Sequence, residues 1–280
     1  MVHGTGCTFG WKLTQKLQRI FDPAGKIYMG IIGKIVGGTI GFALGGPLGA
    51  VAGAVFGHAF DSENSIPPQY DGRSRLSMVE ESQLAFFVAT FSMLAKLAKA
   101  DGVVAKEEIQ VVQSFAVEDL GLDAANREVA FNIFHTALNS PASFEDFAHQ
   151  FYNHFQNQPQ LMEMMIDILL RVAVSDGALD LAEETLILSA ARTFNFSQTR
   201  LEQLKSKYAA SSDQHYHVLG CDRRDSDEEI KRKYRHLVQT YHPDKIAAKG
   251  LPDEFIQLAQ DKFREIQSAY EKIKKERGIP

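Results

Sequence analysis

From Ser77 to about Ala209 apolar residues recur with helical spacing and almost nowhere with the two-residue alternation of a strand. Leu84, Phe87, Val88, Phe91, Leu94, Ala95 and Ala98 follow the i, i+3, i+4, i+7 spacing of a buried stripe. The pattern predicts helices near 78–100, 105–119, 124–139, 143–157, 159–175, 180–194 and 197–209. Ser143 and Ser197 stand where N-caps belong, and Gly121 where a C-cap does. Over 214–280 two further apolar stripes, one with Ile230, Tyr234, Leu237, Val238 and Tyr241, the other with Ile256, Ala259, Phe263, Ile266, Tyr270 and Ile273, flank a polar turn. That pattern describes an antiparallel helical hairpin, and the predicted fold is all-α throughout.

Upstream the periodicity gives way to a different pattern. Ile35 to Phe60 contain no Lys, Arg, Asp or Glu, and Gly33, Gly37, Gly41, Gly45, Gly49, Gly53 and Gly57 recur every fourth residue. As a helix the run exceeds the roughly 30 Å core of a bilayer. The glycine stripe would let another helix approach closely, and a homodimer through it is expected. In water each Gly costs about 1 kcal/mol relative to Ala in a helix. A Gly/Ala-rich buried hairpin in a soluble core and an aggregation-prone linker are the competing readings; membrane insertion suits the length and absence of charge better. The run starts late, is too long and lacks a small-residue cleavage site, so it is no signal peptide.

The expected organisation is a basic tail over 1–28, a glycine-zipper membrane segment over 29–60, a linker over 61–76 containing Pro67-Pro68, a helical domain over 77–209 and a terminal hairpin domain over 214–280. Lys12, Lys16, Arg19, Lys26 and Lys34 precede the apolar run, whereas Arg73 and Arg75 follow it among acids. Positive-inside logic would keep the N-terminus of a single-pass protein in the cytosol and export the rest. Either the tail crosses despite its charge or the segment bends at Gly45-Gly46-Pro47 and re-enters, and both topologies stay open.

Within the central domain Ala100-Asp101-Gly102-Val103-Val104 with Glu107-Glu108 matches Ser175-Asp176-Gly177-Ala178-Leu179-Asp180 with Glu183-Glu184, each copy following an apolar helix. Asp101, Glu108, Asp176, Asp180 and Glu183 could hold a divalent cation in a shared acidic pocket. Turn chemistry is the simpler reading: Gly allows a sharp bend, Asp tolerates it, and acids suit the next helix's N-terminus. The register fails that of an EF-hand. This domain resembles the TerB-like family, named for tellurite resistance, which implies an interaction or metal-sensing role.

At the C-terminus Ser226-Asp227-Glu228-Glu229 reads as a capping box, and the following helix displays Lys231, Arg232 and Arg235 opposite its apolar stripe. His242-Pro243-Asp244 then ends the helix, because Pro disfavours helical geometry in the residue before it. Tyr216 with Leu219-Gly220, Tyr241-His242-Pro243-Asp244-Lys245 and the run from Phe263 to Tyr270 resemble the J domain of DnaJ proteins. The resemblance implies a co-chaperone rather than an enzyme. A helix presenting Lys231, Arg232, Tyr234 and Arg235 would dock on a DnaK-type chaperone, and His242, Pro243 and Asp244 would bias that partner toward ATP hydrolysis. Thr240 departs from the Lys frequent there. No Gly/Phe-rich linker and no cysteine-rich zinc domain occur.

Anchor, TerB-like centre and J domain together resemble the DjlA type of membrane-anchored DnaJ-like protein, with residues 1–25 as the main departure. This implies an inner-membrane protein whose J domain faces the cytoplasm, with the bilayer and a DnaK-type chaperone as partners. The alternative is a metal-responsive stress sensor in which the acidic centre is primary and the J domain its output. A net charge of -5 and a pI near 6.0 argue against nucleic acid as a partner. Cys7 and Cys221, far apart, leave no disulfide framework and no cysteine zinc site, which suits a reducing compartment. No nucleophile motif or phosphate loop appears, and no cofactor beyond that cation is expected.

Overall fold

The structure, a computed structural model, describes residues 44–57, 77–175, 177, 179–208 and 213–279. The basic tail, most of the glycine-zipper segment, the linker and Asp176 lie outside them. Among the described residues there are helices and no strand. We number the α-helices α1 (Gly46–Gly57), α2 (Met78–Leu97), α3 (Lys106–Ser114), α4 (Ala124–Asn139), α5 (Phe144–Phe155), α6 (Pro159–Ala173), α7 (Leu181–Thr193), α8 (Gln198–Ser206), α9 (Gln214–Val218), α10 (Asp227–Thr240), α11 (Pro243–Ala247) and α12 (Ile256–Arg277). The seven central helices expected from periodicity are α2 to α8. The second is shorter than expected as an α-helix, because Phe115–Asp119 continues it as a π-helical turn.

Helix α2 is the axis of the core. Leu84 to Ala95 are all buried, Thr90 and Ser92 included, because α1, α4, α5 and α6 surround the helix. A helix covered on all sides need not be amphipathic, and this one is apolar nearly all round. Phe86 meets Phe151 and Phe155 edge-on at ring-centroid distances of 5.7 and 5.9 Å. Local signals set the helix ends. Ser77 and Glu80 form a capping box, Ser143 accepts from the Asp146 amide and Ser197 from that of Arg200. Gly121 takes the left-handed φ of 61° expected of its C-cap position.

Helix α1 is the described part of the glycine-zipper segment. It lies in the groove of α2, α4 and α5 with Leu48, Val51, Ala52 and Phe56 buried. Gln150 of α5 organises its start: the amide donates to the Leu44 and Gly45 carbonyls and accepts from the Leu48 N–H, each at 2.8 Å. Gly45 and Gly46 have φ of 57° and 51°, so the chain bends at Gly45-Gly46-Pro47. A Cβ on Gly46 would stand 2.9 Å from the Gln150 Oε1 and push that amide from its place, and the left-handed φ itself favours glycine. Of the membrane segment expected over 29–60, straight or bent at Gly45-Gly46-Pro47, the described part is a helix of 12 residues that begins after that bend and packs on the central domain. Among the described residues no helix is long and apolar enough to cross a membrane.

The terminal domain comprises α9 to α12, with α10 and α12 as the hairpin. Ile230, Leu237, Ile266 and Ile273 fill the space between them, and Tyr234 stacks on Tyr270 at 3.9 Å with rings 5° from parallel. Arg277 clasps the domain's ends, donating to the Tyr216 hydroxyl, the Asp225 carbonyl and the Asp227 carboxylate at 3.0, 2.7 and 2.9 Å. Burial pushes the Cys221 thiol up to about 11, leaving it a packing residue rather than a nucleophile.

Candidate functional site

The polar turn is built by two helices that stop and start on adjacent residues. The Tyr241 N–H closes α10 on the Leu237 carbonyl at 2.8 Å. His242 then caps α11, with Pro243 at the first helical position, where its fixed φ suits and no N–H is missed. The His242 carbonyl accepts from the Lys245 and Ile246 amides at 3.0 and 3.1 Å, and Ile246 is fully buried, so the turn is pinned from below. The His242 ring meets Phe263 of α12 edge-on at 5.7 Å. Its Nδ1 lies 3.8 Å from the Asp244 carboxylate, whose side chain is 92% exposed.

Arg232 and Arg235 are exposed on α10 and Lys231 is half-buried. Tyr234, expected with them, is instead held by Tyr270 and belongs to the inner side of the hairpin. The capping box at Ser226 is half formed. Ser226 accepts from the Glu229 amide at 3.2 Å, while the Glu229 carboxylate pairs with Arg232 one turn on. That pair leaves Arg232 exposed.

The acids expected to hold a cation serve the two repeated turns. Asp101 accepts from the Val103 amide at 2.9 Å, and Glu108 from that of Ala105 at 2.7 Å. In the second copy Asp180 accepts from Ala182 at 2.7 Å and Glu183 from Asp180 at 3.4 Å. Gly102 and Gly177 donate to the equivalent carbonyls of Lys99 and Val174. The repeat is thus a duplicated helix-end and helix-start signature. Among the described residues no group of three or more His, Cys, Asp or Glu is placed to hold a metal ion, and Asp176 lies outside them.

A cluster that periodicity did not single out joins the two domains. Glu163 and Asp167 sit four residues apart on α6 and so share one face. Arg200 of α8 grips Glu163 through two nitrogens, at 2.6 and 3.2 Å. Lys207 and the Tyr208 hydroxyl reach Asp167 at 3.2 and 2.8 Å. From the terminal domain Lys262 enters between the two carboxylates, at 3.3 and 3.4 Å, with its ammonium 4.6 Å from the centre of the Tyr241 ring. Glu265 completes the set on Lys207 at 2.9 Å.

Burial alone would raise the Glu163 and Asp167 carboxyls, but Lys262 with Arg200 and with Lys207, respectively, outweighs it and holds both below the ordinary range. Burial would likewise lower Lys262, and the two carboxylates keep it above its usual value. Tyr241 is pushed well up by burial and by the nearby Glu163 carboxylate, so it stays neutral. Two acids four residues apart inside the otherwise apolar Leu161–Ile168 run were the signal in the sequence that could have revealed this cluster.

A helical hairpin with an exposed His-Pro-Asp turn and a basic flank defines the J-domain class of co-chaperones. Residues 214–278 match the DnaJ domain family, 87–206 match tellurite resistance protein TerB, and 29–76 match the transmembrane domain of co-chaperone DjlA. The co-chaperone protein DjlA of Vibrio vulnificus is 32% identical over 90% of this chain and 100% of its own length. Those of Shewanella oneidensis and Escherichia coli are 30% and 28% identical, over 73% and 80% of this chain and 82% and 90% of theirs. The chain belongs to the DjlA family of co-chaperones. No solved structure matches it.

Proposed function

We propose that this protein stimulates the ATPase of a DnaK-type chaperone and recruits it to a membrane. The observation carrying the reading is the exposed turn: Asp244 almost fully in solvent, His242 half-exposed, and Arg232 and Arg235 open on the adjoining helix. Such a basic face speeds encounter with an acidic surface and sets orientation more than affinity. Lys231, Arg232 and Arg235 dock, and His242, Pro243 and Asp244 then favour hydrolysis without entering the partner's phosphate chemistry. The segment matched over 29–76 holds the protein at the inner membrane with the J domain on the cytoplasmic side. A second copy pairs through the glycines upstream of α1.

The test is steady-state ATP hydrolysis by a bacterial DnaK with the full chain in detergent micelles, as wild type or His242→Gln. Stimulation by wild type and none by the variant supports the mechanism. A folded wild type that leaves the rate unchanged at any excess removes it.

A further inference from the structure

The turn that carries the His-Pro-Asp sequence is slung between two anchor points, and both are on the central domain. On its N-terminal side Tyr241, the residue before His242, is 2% exposed, with its ring centre 4.6 Å from the Lys262 ammonium that enters between Glu163 and Asp167 of α6. On its C-terminal side Lys249 binds Gln160 and the Leu251 carbonyl accepts from Gln83 at 3.1 Å. Gly250 packs so tightly on Ser82 that a Cβ there would stand 2.7 Å from the serine Cβ. Phe255 then enters the aromatic core of α2, 5.0 Å from Phe86 and 6.1 Å from Phe87.

Between the anchors the buried ion cluster closes the joint. Its three carboxylates and three cations balance, and each domain contributes to both charges. The sides of the J domain diverge: Lys262 and Glu265 of α12 face the central domain, while Arg232, Arg235 and Asp244 stay in solvent. The seat therefore covers the back of the J domain and leaves its chaperone-facing residues open. Buried ion pairs contribute little net stability compared with apolar packing, but separating the partners leaves an uncompensated buried charge, which is strongly destabilising. An apolar seat with this cluster at its edge holds one rotation of the J domain and disfavours others, since any slip strands a buried charge.

We infer that the central domain holds the J domain in a single fixed orientation through this seat, and that Glu163 and Asp167 are positioning residues for activation of the DnaK-type partner. The inference rests on the proposed co-chaperone function. The joint acts on the turn because it clamps both of its ends, so the chaperone meets a turn already in place rather than one at the end of a free tether. A protein attached to a membrane gains from this, since the direction in which the chaperone is presented follows from the anchor.

The experiment uses the full chain in lipid nanodiscs with spin labels at Gln113→Cys and Lys272→Cys, both exposed positions outside the joint, in a Cys7→Ser background. Cys221 is retained because it is buried. The distance distribution is measured for this chain and for the Glu163→Gln/Asp167→Asn and Phe255→Ala variants, with helix content checked by circular dichroism. Stimulation of DnaK is titrated alongside. The expected result is one narrow distance in the parent and a broad distribution in both variants. Maximal stimulation should fall about fivefold or more, the lower end of typical coupling between sites, with little change in the concentration giving half of it. A broad parent distribution, or variants as narrow as the parent, overturns the fixed seat. Broadening without a fall in maximal stimulation overturns the positioning role. A parent that holds a narrow distance but does not stimulate DnaK marks failure of the proposed function instead.

Discussion

Helix α1 and the J domain both lean on the central domain, but different physics holds each. α1 is seated by apolar burial, with a single side chain, Gln150, supplying the directional contacts at its start. The J domain is seated by Phe255 and Leu251 together with a balanced set of buried ions. Apolar burial is non-directional and roughly proportional to area. It seats a helix, yet specifies its rotation and slide only through shape. The ion cluster adds direction, because each charge must meet a particular partner. The contrast separates an element that must merely be held from one that must also be aimed.

The largest expected effect of breaking this contrast is on the aromatic part of the J-domain seat. Phe255→Ala should destabilise the full chain by about 3–5 kcal/mol, the usual cost of emptying a buried phenylalanine site. Urea unfolding in detergent measures it, and a loss within the scatter of a surface substitution would show that Phe255 does not sit in the core.

Acid should separate the two seats next. Glu163 and Asp167 have carboxyls lowered on folding, so their contribution is complete above the unfolded values near 4 and is lost as pH falls through the folded ones. Glu254 runs the other way. Burial, then the neighbouring Asp253 and Asp123, raises its carboxyl, so its protonation relieves a cost as pH falls. The net expectation between pH 5 and 3 is a loss of about 2–3 kcal/mol, in the range of one strongly lowered carboxyl. Melting temperatures followed over that range should fall less steeply for Glu163→Gln/Asp167→Asn. Parallel slopes for the two proteins would mean that these carboxylates do not carry the acid sensitivity.

The smallest effect should come from Gln150→Ala, which removes the three contacts at the start of α1 and leaves its apolar face intact. The expected cost is about 1–2 kcal/mol. Proteolysis between α1 and α2 should quicken while the J-domain joint, read by the label distance, stays narrow. An unchanged cleavage rate would remove Gln150 as the clasp of α1.

Much of the molecule was legible because its signals are local. Ser143 and Ser197 accept from amides three residues on, Gly121 takes the left-handed φ its position required, and Pro243 ends one helix while starting the next. The bend at Gly45-Gly46-Pro47 was equally plain in the residue types. Less was legible where one local pattern serves two environments. The apolar face of α1 reads the same against lipid and against α2, α4 and α5, the helices it meets in the structure. Tyr234 belonged to both faces of its helix until Tyr270 stacked on it. The repeated acids allowed both a ligand reading and the simpler turn reading because capping and ligation draw on the same oxygen-bearing side chains, and the hydrogen bonds they make follow the turn and capping pattern.

The helices, the signals at their ends and the His-Pro-Asp turn could be read along the chain, since these depend on backbone preferences and on contacts within about one helical turn. Tertiary structure alone decided that Lys262 lies between Glu163 and Asp167, 99 and 95 residues away. It also decided that Phe255 fills the core of α2 and that Gln150 clasps a glycine turn more than 100 residues upstream. No local rule encodes such pairs. A buried charge gains from its partner only after folding has removed both from water and brought them together, so its meaning in the sequence is set by the fold that surrounds it.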